Sequence, residues 1–383
     1  MPDNKSHIRI VQVIGGGMVR AGTETLFMEV LRQIDRERYR MDFLVHTQEP
    51  CAYDEEIKAL GSRIIIGAQA QGAEYRRPLS YHLRLQKLLR DNGPYDIMHC
   101  HTYLRCGHIL RLARSCGIPS RITHIHPHVD KKRQTLFRAV YRNVMTRWIT
   151  NHATCLITPS QSSMDAFKQI CDCSRFPNKV LYNGIDLAEY QEVPDKRELR
   201  RKLALPPDQP LVSYVGRFDP HKNHQQVLRV ADLARERGLA AHFAIAGAHG
   251  PCLDSLREAS AKRSNVSLLV GIPRISELLF ASDLFFFPSL NEGLGIVALE
   301  AAAAGLPIVA TDLSTIREAC YPLSHSFFFP PDDDEKAYAS IAAILGDTQL
   351  RKEMSAAALP WARRFSIQEY VKKLCDIYET WAG

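Results

Sequence analysis

Short apolar runs alternate with longer amphipathic segments along almost the whole chain. The apolar runs predict strands in two series, which cover residues 8–14, 41–45, 63–66, 96–99, 121–124 and 155–158, and then 211–215, 242–246, 266–269, 284–287 and 308–310. Between them, apolar positions spaced three and four residues apart predict helices, for example over residues 23–33, 80–91 and 102–115. Strands that alternate with helices in this way predict parallel sheets covered by helices.

A polar stretch interrupts this alternation near the middle of the chain. Residues 191–196 read QEVPDK, and the strand pattern restarts after them. We therefore expect an α/β protein with two doubly wound, Rossmann-like domains, the first in residues 1–190 and the second in residues 191–365. A chain of 383 residues is long enough for each domain to bury its own core.

Two glutamates flank a glycine-rich turn between two strands predicted in the second half. The segment reads NEGLGIVALE, so Glu292 and Glu300 lie eight positions apart. A helix that begins near Leu294 or Gly295 offers unpaired N–H groups and a positive dipole end, which attract a diphosphate. Glu292 can reach sugar hydroxyls beside the phosphates, and Glu300, about two turns along, suits the hydroxyls of a ribose. The alternative is two solvated acids on a surface helix.

This segment resembles the E-x7-E signature of the retaining glycosyltransferases of family 4, which have the GT-B fold. Three further segments resemble the family in the same order: GGGMVRAGTET at 15–25, NGID at 183–186 and GRFDPHK at 216–222. FLVHT at 43–47 and HIH at 124–126 resemble the bacterial exopolysaccharide-type members. The resemblance implies two domains facing an interdomain cleft, with a last helix, residues 366–383, that crosses back to the first domain.

The resemblance also implies an activity. We expect transfer of a hexose-type sugar from a nucleotide-diphosphate sugar, UDP-sugar being favoured, to a glycan or lipid-linked acceptor. Residues 1–190 would then form the acceptor-side domain and residues 191–365 the nucleotide-sugar-binding domain. The configuration at the anomeric carbon is expected to be retained by front-face attack, with Glu292 orienting the sugar. The alternatives are a nucleotide-sugar epimerase or hydrolase of the same fold, and a non-catalytic nucleotide-sugar-binding module.

By the same resemblance, Arg217 and Lys222 bind the donor diphosphate and stabilise charge on the leaving group. Because these cations can neutralise phosphate as Mg²⁺ does, and no D-x-D motif stands in the expected place, we expect metal-independent transfer without a cofactor. The triplet at 332–334 is expected to be a solvated turn. The full set expected to bind the donor is Gly16, Gly17, Gly216, Arg217, Lys222, Arg274, Glu292, Gly293, Leu294, Gly295 and Glu300.

The first glycine loop differs from the fingerprint of a dehydrogenase. That fingerprint reads G-x-G-x-x-G, whereas here three successive glycines at 15–17 precede MVRAG, so the last spacing fails. The resemblance implies that Gly16 and Gly17 approach the donor phosphates or the acceptor. A purely structural tight turn is the alternative.

Histidines cluster near the ends of two predicted strands. His99 and His101 belong to one, and His124, His126 and His128 alternate on the other. Alternation could indicate a metal site, but a proline interrupts the strand and no carboxylate lies beside it, so we expect no metal ligand here. The resemblance implies that His126 hydrogen-bonds the donor sugar and acts in catalysis, with His124 as the next candidate. His101 and His124 are expected on the acceptor side.

Composition adds one feature to this picture. The chain is 45% hydrophobic and 24% charged, contains no run of eighteen apolar residues, and starts without a hydrophobic signal region, so we expect a cytoplasmic protein.

The formal net charge of +7 is distributed unevenly, because residues 131–148 combine six lysines and arginines with apolar residues at helical spacing. This basic helix either faces the core with a solvated rim or attracts an anionic membrane surface, making the protein peripheral at the inner face. No nucleic-acid motif appears, so nucleic acid is not an expected partner.

Overall fold

The structure is a computed structural model that describes residues 7–67, 78–126, 135–320 and 323–381. The strands are β1 (Ile8–Val13), β2 (Tyr39–Val45), β3 (Ile64–Ile66), β4 (Ile97–Cys100), β5 (Ser120–His124), β6 (Cys155–Thr158), β7 (Asn178–Val180), β8 (Leu211–Val215), β9 (His242–Gly247), β10 (Val266–Val270), β11 (Leu284–Phe287), β12 (Ile308–Thr311) and β13 (Ser326–Phe329). Every strand predicted from the sequence is confirmed, with ends that agree within two residues.

Helices separate the strands throughout. The α-helices are α1 (Gly22–Gln33), α2 (Asp54–Ala59), α3 (Pro78–Asn92), α4 (Cys106–Ser115), α5 (Leu136–His152), α6 (Gln161–Lys168), α7 (Lys196–Lys202), α8 (His224–Glu236), α9 (Leu253–Ala261), α10 (Ile275–Ala281), α11 (Ile296–Ala303), α12 (Ser314–Cys320), α13 (Asp334–Gly346), α14 (Thr348–Ala362) and α15 (Ile367–Trp381). Among the described residues, none of these helices has both the length and the apolar character that spanning a bilayer requires.

The chain divides into two compact units. The described residues up to Gly184, together with those from Ile367 onward, form the first unit, and Ile185–Ser366 forms the second. The sequence predicted that the first domain ends at residue 190 and that the chain returns to it at residue 366. The last helix, α15, packs on the first unit as the resemblance implied, since its residues Tyr370, Leu374 and Tyr378 join a core cluster of that unit.

Each unit contains one parallel sheet in which the strand order reverses once. The order is β3-β2-β1-β4-β5-β6-β7 in the first unit and β10-β9-β8-β11-β12-β13 in the second. The reversals lie between β1 and β4 and between β8 and β11. In doubly wound sheets, ligands bind beyond the carboxyl ends of the strands at such a switch point. We therefore expect ligands to bind at the loops that follow β1, β4, β8 and β11.

Burial on both faces explains why most strands were visible in the sequence. All four residues of β11, Leu-Phe-Phe-Phe, are buried, as are all five of β8. Parallel sheets with helices on both faces need such continuous apolar runs. The sequence missed two edge strands, β7 and β13. β7 reads Asn-Lys-Val and has no buried residue, so it carries no apolar signal.

Helix α5 presents apolar residues to solvent at its start. Its later residues Met145 and Ile149 are buried, in keeping with a core-facing helix. Its first half is different, because five large apolar side chains on one face are exposed: Leu136, Phe137, Val140, Tyr141 and Val144. The core-facing alternative therefore describes only the second half of the helix. Residues 131–134, which carry part of the predicted basic charge, lie outside the described residues.

Candidate active site

The switch point of the second sheet gathers two predicted site segments. Gly216 and Arg217 directly follow β8, and Glu292 lies in the loop after β11. The two loops are joined by a backbone hydrogen bond of 2.8 Å, which the Leu290 N–H donates to the His221 carbonyl. Because parallel strands present their carboxyl ends at one edge of the sheet, the fold brings distant sequence segments together there.

Lys222 and Glu292 form an ion pair at this edge, although they are 70 positions apart in the chain. Nζ of Lys222 lies 2.5 Å from Oε1 of Glu292, and only 18% and 10% of the two side chains are exposed. An ammonium group has three donors, so Lys222 can hold Glu292 and still donate to phosphate oxygens. Two residues that the sequence predicted to be catalytic are thus physically coupled.

Arg217 and Gly216 belong to the same loop. Arg217 is about half exposed, and its guanidinium pairs with the carboxylate of Asp219. A Cβ atom at Gly216 would collide with the hydroxyl of Tyr214, so packing requires glycine here. The same short segment carries both predicted phosphate-binding cations.

Helix α11 begins one residue after the predicted start, with Gly295 as its N-cap. Gly295 has a φ of +85°, and a Cβ there would lie 2.9 Å from Cε1 of Phe287, so both backbone and packing require glycine. The first N–H groups of a helix lack helical partners and suit a phosphate. Leu294 is buried in the core, so its side chain cannot contact a ligand.

Glu300 lies in α11 and is mostly withdrawn from water. Burial, with a smaller contribution from Glu189, raises the pKa of its carboxyl to about 7. This folded-state pKa is above that of an unfolded glutamate, about 4.3. The contribution of Glu300 to the free energy of unfolding therefore falls as the pH rises from about 4.5 to 7. A carboxylate that costs stability is a feature of ligand sites, where a bound partner can repay it.

Four histidines form a cluster at β4 and β5 of the first unit. His101 Nδ1 lies 3.2 Å from His126 Nε2, and His99 Nε2 lies 3.2 Å from His124 Nδ1. Burial lowers the pKa of His126 to about 4, and burial with the neighbouring histidines lowers the pKa of His124 well below its ordinary value. These rings are therefore neutral at physiological pH.

Ring nitrogens of His99, His101 and His124 lie within 4.8 Å of one another, a spacing that a metal ion could use. However, both nitrogens of His99 and both of His101 already take part in hydrogen bonds. A metal ion would have to replace several of these bonds, so the contacts favour a polar network over a metal centre. His128 lies outside the described residues.

The first glycine loop packs tightly at one position only. A Cβ at Gly17 would collide with Sγ of Cys51 and lie 2.5 Å from Cγ2 of Thr47, whereas a Cβ at Gly16 would have nothing within 4 Å. The Gly16 carbonyl accepts a 2.7 Å hydrogen bond from the His46 N–H. Gly17 is thus explained by packing, and Gly16 is open enough for a ligand.

Two other predicted features, Arg274 and the aspartate triplet at 332–334, do not take part in the contacts described above. Arg274 is exposed at the N-cap of α10, after edge strand β10, two strands from β8 in the sheet. The aspartate triplet is more structured than the expected solvated turn. Asp333 caps α13 by accepting from the Lys336 N–H, and Asp334 accepts a 2.5 Å bond from Arg229.

Sequence reasoning missed three residues that act on the predicted site residues. Gln12 and Tyr378 hydrogen-bond the histidine cluster, at 2.8 Å from His101 and His99 respectively. Glu189 acts electrostatically on Glu300. Gln12 was detectable in principle, because it is the one polar residue in the otherwise apolar run IVQV, and it is fully buried. Tyr378 and Glu189 carry no comparable local signal.

Comparisons with known proteins found matches over both halves of the chain. The family model described as "Glycosyltransferase Family 4" matches residues 20–189, and the model "Glycosyl transferases group 1" matches residues 195–361. The chain is 32% identical over 318 residues to EpsF, a proposed glycosyltransferase of Bacillus subtilis (strain 168), covering 82% of this chain and 81% of EpsF. It is 25% identical over 319 residues to the D-inositol 3-phosphate glycosyltransferase of Nocardia farcinica, covering 79% and 70%.

Solved structures share the fold at low sequence identity. HepE from Anabaena, in complex with UDP-glucose, superposes with a TM-score of 0.82 at 17% identity, over 98% of this chain and 100% of HepE. Sucrose-phosphate synthase from Thermosynechococcus elongatus gives a TM-score of 0.82 at 17% identity, over 98% and 99% of the two chains.

Proposed function

Because the chain belongs to the family 4 glycosyltransferases and has their GT-B fold, we propose that it moves a hexose-type sugar from a nucleotide-diphosphate sugar to a glycan or lipid-linked acceptor. The observation that carries the proposal is the Lys222–Glu292 ion pair at the switch point of the second sheet. In this proposal Lys222 binds the diphosphate and Glu292 binds the sugar, at the edge of the sheet where doubly wound folds bind ligands.

The proposed chemistry retains the anomeric configuration. The bond from the anomeric carbon to the phosphate oxygen breaks, and the bond to the acceptor oxygen forms on the same face. The acceptor proton goes to the departing phosphate oxygen. Lys222 and Arg217 stabilise the negative charge that grows on that phosphate, which is where fixed cations lower a barrier. Glu292, held by Lys222, orients the sugar.

Transfer is proposed to need no metal ion and no cofactor, the nucleotide-sugar being a co-substrate. Support comes from the two cations on one loop and the positive dipole end of α11, which together can neutralise a diphosphate. UDP-sugar is the donor we favour. HepE, a protein of the same fold, was solved with UDP and with UDP-glucose.

A nucleotide screen with EDTA tests this function. We expect UDP or UDP-glucose to raise the melting temperature, because a ligand that binds the folded state stabilises it by mass action. GDP, ADP and their sugar conjugates serve as competitors, and incubation of the bound conjugate with glycan acceptors should release nucleotide only when acceptor is present. Release of nucleotide without acceptor would support the hydrolase alternative. An altered donor sugar would support the epimerase, and binding without turnover would support the binding module. Absence of any nucleotide binding would overturn the proposal.

The raised pKa of Glu300 predicts that donor binding depends on pH. Ribose hydroxyls donate to a carboxylate, so UDP-glucose should select the ionised form of Glu300. With a pKa of about 7, the ionised fraction rises from about a tenth at pH 6 to about nine-tenths at pH 8, and affinity should rise about tenfold. Isothermal titration calorimetry measures this, and UDP-glucose is chosen because its diphosphate does not titrate in this range.

The matched variant is Glu300→Gln. It should bind UDP-glucose more weakly at pH 8 and with the same affinity at both pH values, since the amide does not titrate. A variant that keeps the tenfold pH dependence would show that another group is responsible.

We also propose that the exposed face of α5 rests on an anionic membrane surface, which would bring a peripheral enzyme to lipid-linked acceptors at the inner face. Leu136 and Phe137 are 84% and 82% exposed, and Arg138 and Arg142 lie on the same helix. An apolar stripe beside cations fits anionic lipid headgroups over acyl chains. The positive charge of α5 gives no support to nucleic acid as a partner, because the side chains exposed beside Arg138 and Arg142 are apolar.

Sedimentation with vesicles tests the membrane contact. Binding to phosphatidylglycerol vesicles should fall about tenfold or more in Leu136→Ser/Phe137→Ser, because each substitution removes apolar area from the lipid contact. Val193→Ser, at an equally exposed apolar residue of the second unit, is the control and should bind as the unmodified protein does. Equal binding by all three proteins would exclude this face.

A further inference from the structure

Six polar side chains of the first unit form one continuous chain of hydrogen bonds. They come from three strands, the loops that follow two of them, and the last helix: Gln12, His99, His101, His124, His126 and Tyr378. Gln12, His99, His124 and Tyr378 are fully buried. Because buried polar groups of this kind have few alternative partners, the direction of each hydrogen bond can be deduced.

The amide of Gln12 sets the direction. Its Nε2 lies 2.8 Å from the Tyr378 hydroxyl and 3.6 Å from Sδ of Met41, and its Oε1 lies 2.8 Å from His101 Nε2. An amide nitrogen only donates and an amide oxygen only accepts. The sulfur of Met41 is an acceptor, so it favours the orientation in which the nitrogen faces it.

One branch runs through the last helix. The Tyr378 hydroxyl accepts from Gln12, so its own proton points to Nδ1 of His99, at 2.8 Å. His99 must then carry its proton on Nε2, from which it donates to Nδ1 of His124 at 3.2 Å. His124 in turn carries its proton on Nε2, an atom that is buried without a partner among the described residues.

The other branch is shorter and ends at the predicted catalytic histidine. His101 donates from Nε2 to the Gln12 oxygen, so its Nδ1 accepts from Nε2 of His126 at 3.2 Å. His126, half-buried in the loop after β5, is left with Nδ1 as its acceptor atom. Burial lowers the pKa of His99 to about 3 and that of His126 to about 4, and it lowers the pKa of His101 and of His124 well below the ordinary value, so each ring is expected to carry a single proton at neutral pH.

We propose that Gln12 is a positioning residue that fixes the proton of His126 on Nε2, so that His126 offers Nδ1 as a hydrogen-bond acceptor to a sugar hydroxyl. The contact with sugar rests on the proposed function; the proton position does not. If the amide were reversed, all four histidines would carry their protons on Nδ1, and His126 would become a donor. One buried amide therefore decides whether the ring accepts from or donates to the sugar.

Nuclear magnetic resonance of the protein labelled with ¹⁵N-histidine tests the proton position directly. Protonated and unprotonated ring nitrogens have well-separated chemical shifts. We expect His99, His101, His124 and His126 all to be protonated on Nε2, with spectra that do not change on mild acidification or on addition of EDTA. A proton on Nδ1 of His126 would overturn the inference, and so would a change with EDTA, because a metal ion would then order the rings.

Two variants separate positioning from general packing. Gln12→Met should give mixed tautomers of His101 and His126 and lower kcat/KM for sugar transfer about tenfold, the effect of one lost hydrogen bond. Tyr378→Phe removes a buried hydroxyl of the same network but leaves the Gln12 oxygen on His101. It should therefore keep His126 protonated on Nε2 and lower kcat/KM less than Gln12→Met does.

Equal losses in the two variants, with unchanged His126 tautomers, would mean that Gln12 acts only through packing. The spectrum of the unmodified protein tests the inference even if Gln12→Met fails to fold. It also needs no substrate, so failure of the proposed function, seen as absent nucleotide binding, is distinguishable from failure of this inference.

Discussion

Replacing Lys222 with alanine is expected to lower kcat/KM for sugar transfer by about 10²–10³-fold, the usual cost of removing one preorganised group that stabilises transition-state charge. Most of the loss should appear in kcat, because the phosphate charge grows as the sugar leaves. Lys222 also holds Glu292 at 2.5 Å, so the variant leaves a largely buried carboxylate unpaired. Steady-state kinetics with UDP-glucose and an identified acceptor measure the effect.

Two further variants isolate the cause. Lys222→Ala/Glu292→Gln removes both charges, so it should recover thermal stability lost in the single variant but not its activity. Lys336→Ala, at a lysine with 68% of its side chain exposed, should leave kcat/KM within about twofold. Activity of Lys222→Ala close to that of the unmodified protein would remove Lys222 from the catalytic site.

Replacing Asp283 with asparagine is expected to lower the free energy of unfolding of the second unit by about 3–5 kcal/mol, as breaking a buried ion pair does. Asp283 precedes β11 and accepts from Lys196 at 2.6 Å, Arg200 at 2.7 Å and the Leu211 N–H at 2.8 Å. Arg200 has only 5% of its side chain exposed, so the variant leaves its charge uncompensated. Calorimetry should show a midpoint lower by about 6–20 °C.

The same carboxylate gives this stability a pH dependence. Burial alone would raise the pKa of Asp283, but Lys196, the Leu211 N–H and Arg200 outweigh it and the pKa is lowered. The contribution is therefore present above the unfolded pKa, about 3.9, and is lost as the pH falls through the lower folded value. The difference in the free energy of unfolding between the unmodified protein and Asp283→Asn should therefore narrow as the pH falls. Asp208→Asn, at an exposed partner of Arg197, is the control and should change stability by about 0.5 kcal/mol or less.

Much of the fold was predictable because its strands are buried on both faces. An apolar run such as Leu-Phe-Phe-Phe in β11 can be identified from the sequence, whereas the polar edge strand β7 cannot. The order of the strands was not visible, since pairing depends on contacts between whole elements. The resemblance to a known family implied the GT-B fold, through motifs spread over the chain, but no strand order.

The candidate site was only partly predictable. Residue type and spacing predicted Glu292 and Glu300 as site residues, and the resemblance to the family added Lys222. Neither predicted the ion pair between Lys222 and Glu292 or the effect of Glu189 on Glu300. The histidines were located too, but their hydrogen-bond directions follow from Gln12 and Tyr378, which are 366 positions apart. No local pattern connects residues at that distance.

The sequence by itself determined the alternation of strands and helices, the turns that need glycine, and the residue types that suit a diphosphate and a sugar. These features depend on local periodicity and local backbone geometry, which neighbouring residues encode. Only the tertiary structure decided which charges pair, which acid is withdrawn from water, and which nitrogen of each histidine carries its proton. Those properties depend on distance and burial, and both arise when the strand order of each sheet and the return of α15 bring distant segments into contact.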